Sequence, residues 1–200
     1  MMAVTRERFE QGLTYEEFKA QMTRNQDRFA ANEAGVQVNA ADVEAIKALG
    51  HPVSALVVAE DWCGDVIDNL PVLGRLAAAT GMLDVRVFLR DQNLDIMDHY
   101  LNQGQFRSIP VFVFFDQDFA ELGHFIERPT SVTERRAQQR QALFAQHPEF
   151  GDLQTPIAQL PEEVRTQLMS ALTEQREGTK DADNQSVIAA IRAILLPASR

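Results

Sequence analysis

The sequence predicts an α/β fold: a four-stranded mixed central sheet flanked by helices, with helical extensions at both ends. Three observations carry this expectation. Short apolar runs of strand length alternate with helical patterns between residues 53 and 146. The third and fourth runs are joined by a link so short that they must pair antiparallel. The first 50 residues and the last third of the chain show helical patterning without strand signals. The expected organisation is an N-terminal helical extension over 1–50, a core over 51–146 and a C-terminal helical extension over 147–200.

Each element has a local reason. Thr14 is placed to cap a helix with Glu17 three residues on, a capping box, and Tyr15, Phe18 and Met22 then share a face. Asn39 caps a second helix, 40–49, ended by Gly50, and His51-Pro52 breaks the pattern. Residues 53–59 read as a buried strand. Residues 65–79 carry Ile67, Leu70, Leu73 and Leu76 at helical spacing, with Pro71 among them as a kink. A second strand follows at 84–89, a short helix at 94–101 and a third strand at 110–115. The turn Asp116-Gln117-Asp118 leads into a fourth strand, 119–125. Pro129 opens a helix running to Ala145. Beyond a linker at 147–155, Val164, Leu168 and Leu172 mark a helix begun by Pro161. The polar run 174–184 reads as a solvated loop. Val187, Ile188, Ile191 and Leu195 form a last amphipathic helix, stopped by Pro197.

Composition narrows the function. Nineteen basic against 29 acidic residues give a formal charge of −10. That balance argues against nucleic acid, whose phosphates demand a basic face, and against anionic lipid. No apolar run approaches the ~20 residues of a membrane helix, and the N-terminus has no apolar core of a secretory signal. A single cysteine excludes an intramolecular disulfide and fits a reducing compartment, so a cytoplasmic location is expected. The histidines at 51, 99, 124 and 147 show no ligand spacing, and neither a metal nor a cofactor is expected.

The chemistry concentrates at Trp62-Cys63-Gly64-Asp65-Val66. The run joins the first strand to a helix, so Cys63 faces unpaired backbone N–H groups and the positive end of a helix dipole. That placement favours thiolate, the reactive form. Glu60, Asp61 and Asp65 oppose it, so the thiol is expected to titrate above reactive cysteines that have cationic neighbours. The bland alternative is a cysteine that merely packs at a helix start. Asp65 reads as a first-turn acid on the dipole rather than a base, Arg90-Asp91 as a surface ion pair, and Phe112, Phe114 and Phe115 as core.

Strand order and motif together resemble the thioredoxins. Trp62-Cys63-Gly64 resembles their Trp-Cys-Gly, and Pro71 stands where they place the proline of the active-site helix. Arg107-Ser108-Ile109-Pro110 resembles their Arg-Gly-Ile-Pro, whose Ile-Pro bond is cis and packs on the active site; Gly123 matches a glycine near the same groove. The resemblance covers residues 53 to about 146. It is nearest to a bacterial thioredoxin-like group with the motif Glu-Trp-Cys-Gly-Asp-Cys and extra helices at both ends, which Asp61 to Asp65, Asn69-Leu70-Pro71-Val72-Leu73 and Arg90-Asp91 fit.

The resemblance implies a thioredoxin-like fold, Cys63 as the catalytic thiol, and Trp62, Gly64, Asp65, Arg107, Ile109 and Pro110 as substrate-binding residues. Two positions depart from the pattern. The second cysteine is Val66, and the buried aspartate on the preceding strand is Val57. Without a resolving thiol, one cysteine still suffices for a monothiol oxidoreductase acting on mixed disulfides, with protein thiols or disulfides and a low-molecular-weight thiol as partners. The alternative is a non-catalytic module that binds a peptide or protein in the same groove. A cluster-binding dimer is disfavoured, because Cys-Gly-Asp-Val is not the Cys-Gly-Phe-Ser of single-thiol glutaredoxins.

Overall fold

The computed structural model describes residues 4–197 of the chain. In chain order its elements are α1 (Arg6–Phe9), β1 (Leu13–Thr14), α2 (Tyr15–Gln21), α3 (Gln26–Gly35), α4 (Ala40–Lys47), β2 (Val53–Ala59), α5 (Gly64–Thr80) and β3 (Leu83–Leu89). There follow α6 (Leu94–Met97), β4 (Val111–Phe115), β5 (Glu121–Ile126), α7 (Thr130–Gln146), α8 (Glu162–Gly178) and α9 (Lys180–Leu195).

The sheet is mixed, in the order β1-β3-β2-β4-β5. β2 and β3 run parallel; every other pair is antiparallel. The four expected strands are present, and β1 adds a fifth at the edge by pairing Leu13 with Val87. Two residues are too few to show a strand period, so this edge had no sequence signal. β2 is central, and its residues other than Ser54 are buried, as a strand covered on both faces requires.

The chain packs as two compact units. One runs to Pro129 and resumes at Val187; the other is Thr130–Ser186. In the first, Phe9, Phe18, Phe29 and Ile46 share one apolar cluster with β2, β4, α5 and the Val187, Ile188, Ile191 and Leu195 side chains of α9. The second has its own cluster, Leu143, Phe144, Phe150 and Leu168. The expected loop at 174–184 is instead helical: α8 runs to Gly178 and α9 starts at Lys180. Glu, Gln, Arg, Lys and Ala are frequent in that run, and they are good helix formers whose polarity marks only a wet face. The expected helix 94–101 stops at Met97, and His99 and Tyr100 continue as tight turns bonded three residues back. Among the described residues, no helix is long and apolar enough to cross a membrane.

Local chemistry fixes α5, which carries the site. Pro71 lies inside it and cannot donate to the Ile67 carbonyl four residues back. The buried Asn32 side chain on α3 fills that vacancy, donating from Nδ2 to Ile67 O at 2.8 Å. Gly74 lets α2 approach: a Cβ there would stand 2.2 Å from the Tyr15 ring. The Thr14 capping box is formed, with Thr14 Oγ1 accepting from Glu17 N and Glu17 accepting from Thr14 N. Asn39 likewise accepts from Asp42 N at the start of α4.

Candidate active site around Cys63

β2 ends at Ala59, and four residues turn the chain into α5. Cys63 N donates to Glu60 O at 3.2 Å, closing the turn, and Cys63 O accepts from Ile67 N as the helix begins. Cys63 is therefore the N-cap of α5, in extended backbone. Its thiol is half-buried and donates to the Ile109 carbonyl oxygen at 3.4 Å. The Ile109–Pro110 peptide is cis, as the motif implied, and stands directly before β4.

The loop ahead of the cysteine is held from the N-terminal segment. The Asp61 carboxylate accepts from Thr23 N at 2.6 Å, Thr23 Oγ1 at 3.0 Å and Arg24 N at 3.0 Å, while Asn25 Nδ2 donates to Asp61 O at 2.8 Å. Burial alone would raise the Asp61 carboxyl, but these donors and the nearby Arg24 charge hold it below the usual carboxylate range.

The other expected residues divide. Trp62 is 41% exposed, and the Arg90 guanidinium stacks on its ring at 4.8 Å from the centroid. Gly64 has open space where a Cβ would lie. Asp65 lies in the first turn of α5 and pairs with Arg128. Arg107 is not aimed at the sulfur: its guanidinium is bidentate to Asp98, at 2.7 and 2.9 Å. The two positions that depart from a dithiol site, Val66 and Val57, are both fully buried in the main apolar cluster. Valine thus stands at both positions where a dithiol enzyme keeps a thiol and an acid.

Three site residues carry little signal in the sequence: Asn69, Glu127 and Arg128, of which only Asn69 falls within a motif. Asn69 Nδ2 donates to Glu127 O at 2.8 Å, and Glu127 N donates to Pro110 O at 2.7 Å. Glu127 takes a left-handed φ of 62° to make that turn. Arg128 pairs with Asp65 and stands 3.5 Å from Glu127. The loop after β5 thereby clips the cis-proline segment to α5. Glu127-Arg128 is an ordinary charged pair in sequence; only its place just before Pro129, at the end of a strand, hints at it.

The electrostatics oppose thiolate. Burial pushes the Cys63 thiol up, and the Asp65 and Glu127 carboxylates add to this; the N–H groups of Val66 and Asp65 pull it back. The Ile109 carbonyl acts in the same upward direction, because it accepts a proton donor and faces a negative sulfur poorly. Among the described residues, no cluster of His, Cys, Asp and Glu is arranged to hold a metal.

Similarity searches agree with this architecture. No curated protein matches the chain. An HIV epitope-scaffold crystal structure matches with a TM-score of 0.63 at 17% identity, covering 96% of each chain. A protein of unknown function from Pseudomonas aeruginosa matches with a TM-score of 0.59 at 18% identity, covering 88% of this chain and 99% of that one. At such identities both speak for the fold alone. A family profile described as Thioredoxin matches residues 12–140, which includes the whole sheet, α5 and the cis-proline loop. With a cysteine capping α5 against a cis-proline on that sheet, and a profile match over more than half its length, this chain belongs to the thioredoxin family.

Proposed function

We propose that this protein is a monothiol thiol–disulfide oxidoreductase that removes a low-molecular-weight thiol from proteins in a reducing, cytoplasmic setting. The observation that carries the reading is the placement of Cys63: a half-exposed thiol at a helix N-terminus, 3.4 Å from the carbonyl of a cis-prolyl peptide, with no second thiol in the chain. In the first step the Cys63 thiolate attacks the small-thiol sulfur of a protein mixed disulfide. A Cys63–small thiol disulfide forms, the old S–S bond breaks, and the protein leaves as thiolate. A second small thiolate then attacks that sulfur, releasing the small disulfide and restoring Cys63 thiolate. In sum one free small thiol is consumed, the protein thiol is regenerated, the disulfide bond passes to the pair of small thiols, and no resolving cysteine is used. Trp62, Gly64, Asp65, Ile109 and Pro110 line the approach, and Arg107 shapes it through Asp98.

The test is the rate of de-thiolation of a protein mixed disulfide by wild type and Cys63→Ser. Loss of activity in the variant, together with an adduct of the small thiol on wild-type Cys63 by intact mass, is expected; equal rates overturn the proposal.

A second reading has its own support in the buried apolar pair Val57 and Val66, which leaves neither a resolving thiol nor its base. On that reading the groove beside Pro110 binds an extended peptide and Cys63 is dispensable. An unreactive Cys63 with binding unchanged in Cys63→Ser would decide for it.

A further inference from the structure

Residues 23–25 forgo local stabilisation and reach instead for the turn that carries the thiol. Asn25 is the N-cap of α3, where an asparagine ordinarily accepts from an N–H of the first helical turn. Its side chain makes no such bond and donates instead to Asp61 O, at 2.8 Å. Its backbone is left-handed, with φ 56° and ψ 18°, a region that costs residues other than glycine. Just before it, Thr23 N, Thr23 Oγ1 and Arg24 N all donate to one oxygen of Asp61, Oδ2, at 2.6, 3.0 and 3.0 Å. Four donors thus converge on a residue 36 to 38 positions away in the chain.

The turn they reach has little else behind it. Glu60 and Asp61 border an open cavity of about 220 Å³, with Phe18, Met22 and Leu89 on its apolar side, so packing alone does not fix them. Trp62 is exposed, and Cys63 N bonds back to Glu60 O. Whatever holds Asp61 therefore also sets where the next two residues stand.

We infer that Asp61 is a positioning residue for the Cys63 thiol, and that the Thr23–Asn25 turn acts through it to fix the place of the sulfur. This deepens the redox reading above and rests on it for what the positioned thiol is used for; the positioning itself is read without any disulfide substrate. Asp61 touches none of the reacting atoms. Its release frees the Trp62-Cys63 turn and lets the thiol leave its half-buried place. The proton then comes off more easily, because burial is the main influence that keeps it on.

The experiment compares wild type with Asp61→Ala, Asp61→Asn and Asn25→Gly, each checked for native circular dichroism. One readout is the rate of Cys63 alkylation by iodoacetamide against pH. The other is acrylamide quenching of Trp62, the one tryptophan of the chain and the neighbour of Asp61. Asp61→Asn and Asp61→Ala both remove the charge, but asparagine keeps an acceptor oxygen for Thr23 and Arg24, so the difference between them reads the hold alone. Asn25→Gly leaves the Asp61 charge in place, suits a left-handed backbone and loses only the donor to Asp61 O. At about pH 7.5, below the ordinary thiol value of ~8.5, Asp61→Ala should react about threefold faster than Asp61→Asn, as a fall of about half a pH unit in the thiol midpoint gives. Asn25→Gly should also react faster than wild type, and both Asp61→Ala and Asn25→Gly should quench more strongly. A merely structural role would lower the urea midpoint and leave the midpoint of alkylation and the quenching of the folded protein where they were. Equal rates in Asp61→Ala and Asp61→Asn overturn the inference, as do wild-type rate and quenching in Asn25→Gly; if Asp61→Ala does not fold, Asn25→Gly alone decides. Either failure leaves the redox function standing, which the Cys63→Ser de-thiolation assay judges separately.

Discussion

Cys63 stays protonated in the folded chain at a pH where a free cysteine has begun to ionise, because burial, Asp65 and Glu127 all work against its charge. The consequence for stability has a definite sign. Above the ordinary thiol value of about 8.5 the unfolded chain gives up this proton while the folded chain keeps it. The unfolded state then binds fewer protons, so stability falls with rising pH. The contribution is complete below the unfolded value and is lost as pH rises through the folded one. Denaturant unfolding of wild type and Cys63→Ser across neutral to alkaline pH isolates it: the wild type should lose ground to the variant above about 8.5. A difference independent of pH would mean the thiol is not perturbed. The residue scale is also where sequence reading reached furthest. Trp62, Cys63 and Pro110 were legible because a short motif encodes the turn, the cap and the cis bond together. Arg128 was not, because it meets Asp65 from 63 positions away, and nothing local marks that encounter. The pairing of Arg107 with Asp98 is hidden in the same way, because a sequence lists both charges without saying which ones meet.

At the scale of elements, periodicity served where an element has a dry face and failed where it is short or wet. β2, β4 and α5 bury most of their length and were plain. β1 has two residues, α1 has four, and α3 buries only Phe29 and Asn32, so none of them offered a pattern to read. Yet α3 has a specific task. Its Asn32 completes the hydrogen bonding of α5 where Pro71 leaves the Ile67 carbonyl open, and this can be measured by a double-mutant cycle. Asn32→Ala alone should cost about 1–3 kcal/mol, the usual penalty for stranding a buried polar group. In a Pro71→Ala background the backbone N–H restored at position 71 reaches Ile67 O, so the same substitution should cost about 1 kcal/mol less. Equal costs in both backgrounds would assign Asn32 instead to its contact with Asp68, at 3.5 Å.

For the whole molecule, the first 50 residues matter more than their position ahead of the expected core suggests. Phe9, Phe18, Phe29 and Ile46 are all fully buried, and they share one cluster with the sheet. β1 covers an edge of β3 that would otherwise present open backbone groups. The turn from Thr23 to Asn25 holds Asp61, one residue before Trp62. Burying four large apolar side chains contributes about 1.5–3 kcal/mol each. Together that rivals the ~5–15 kcal/mol net stability of an ordinary domain. A chain beginning at His51 retains the motif, the cis-proline segment and four of the five strands. It should nonetheless fail to unfold cooperatively by circular dichroism in a urea titration, and it should associate through the bare β3 edge. A cooperative, monomeric transition from that truncated chain would show that residues 51–200 hold a complete core and that the N-terminal segment only decorates it.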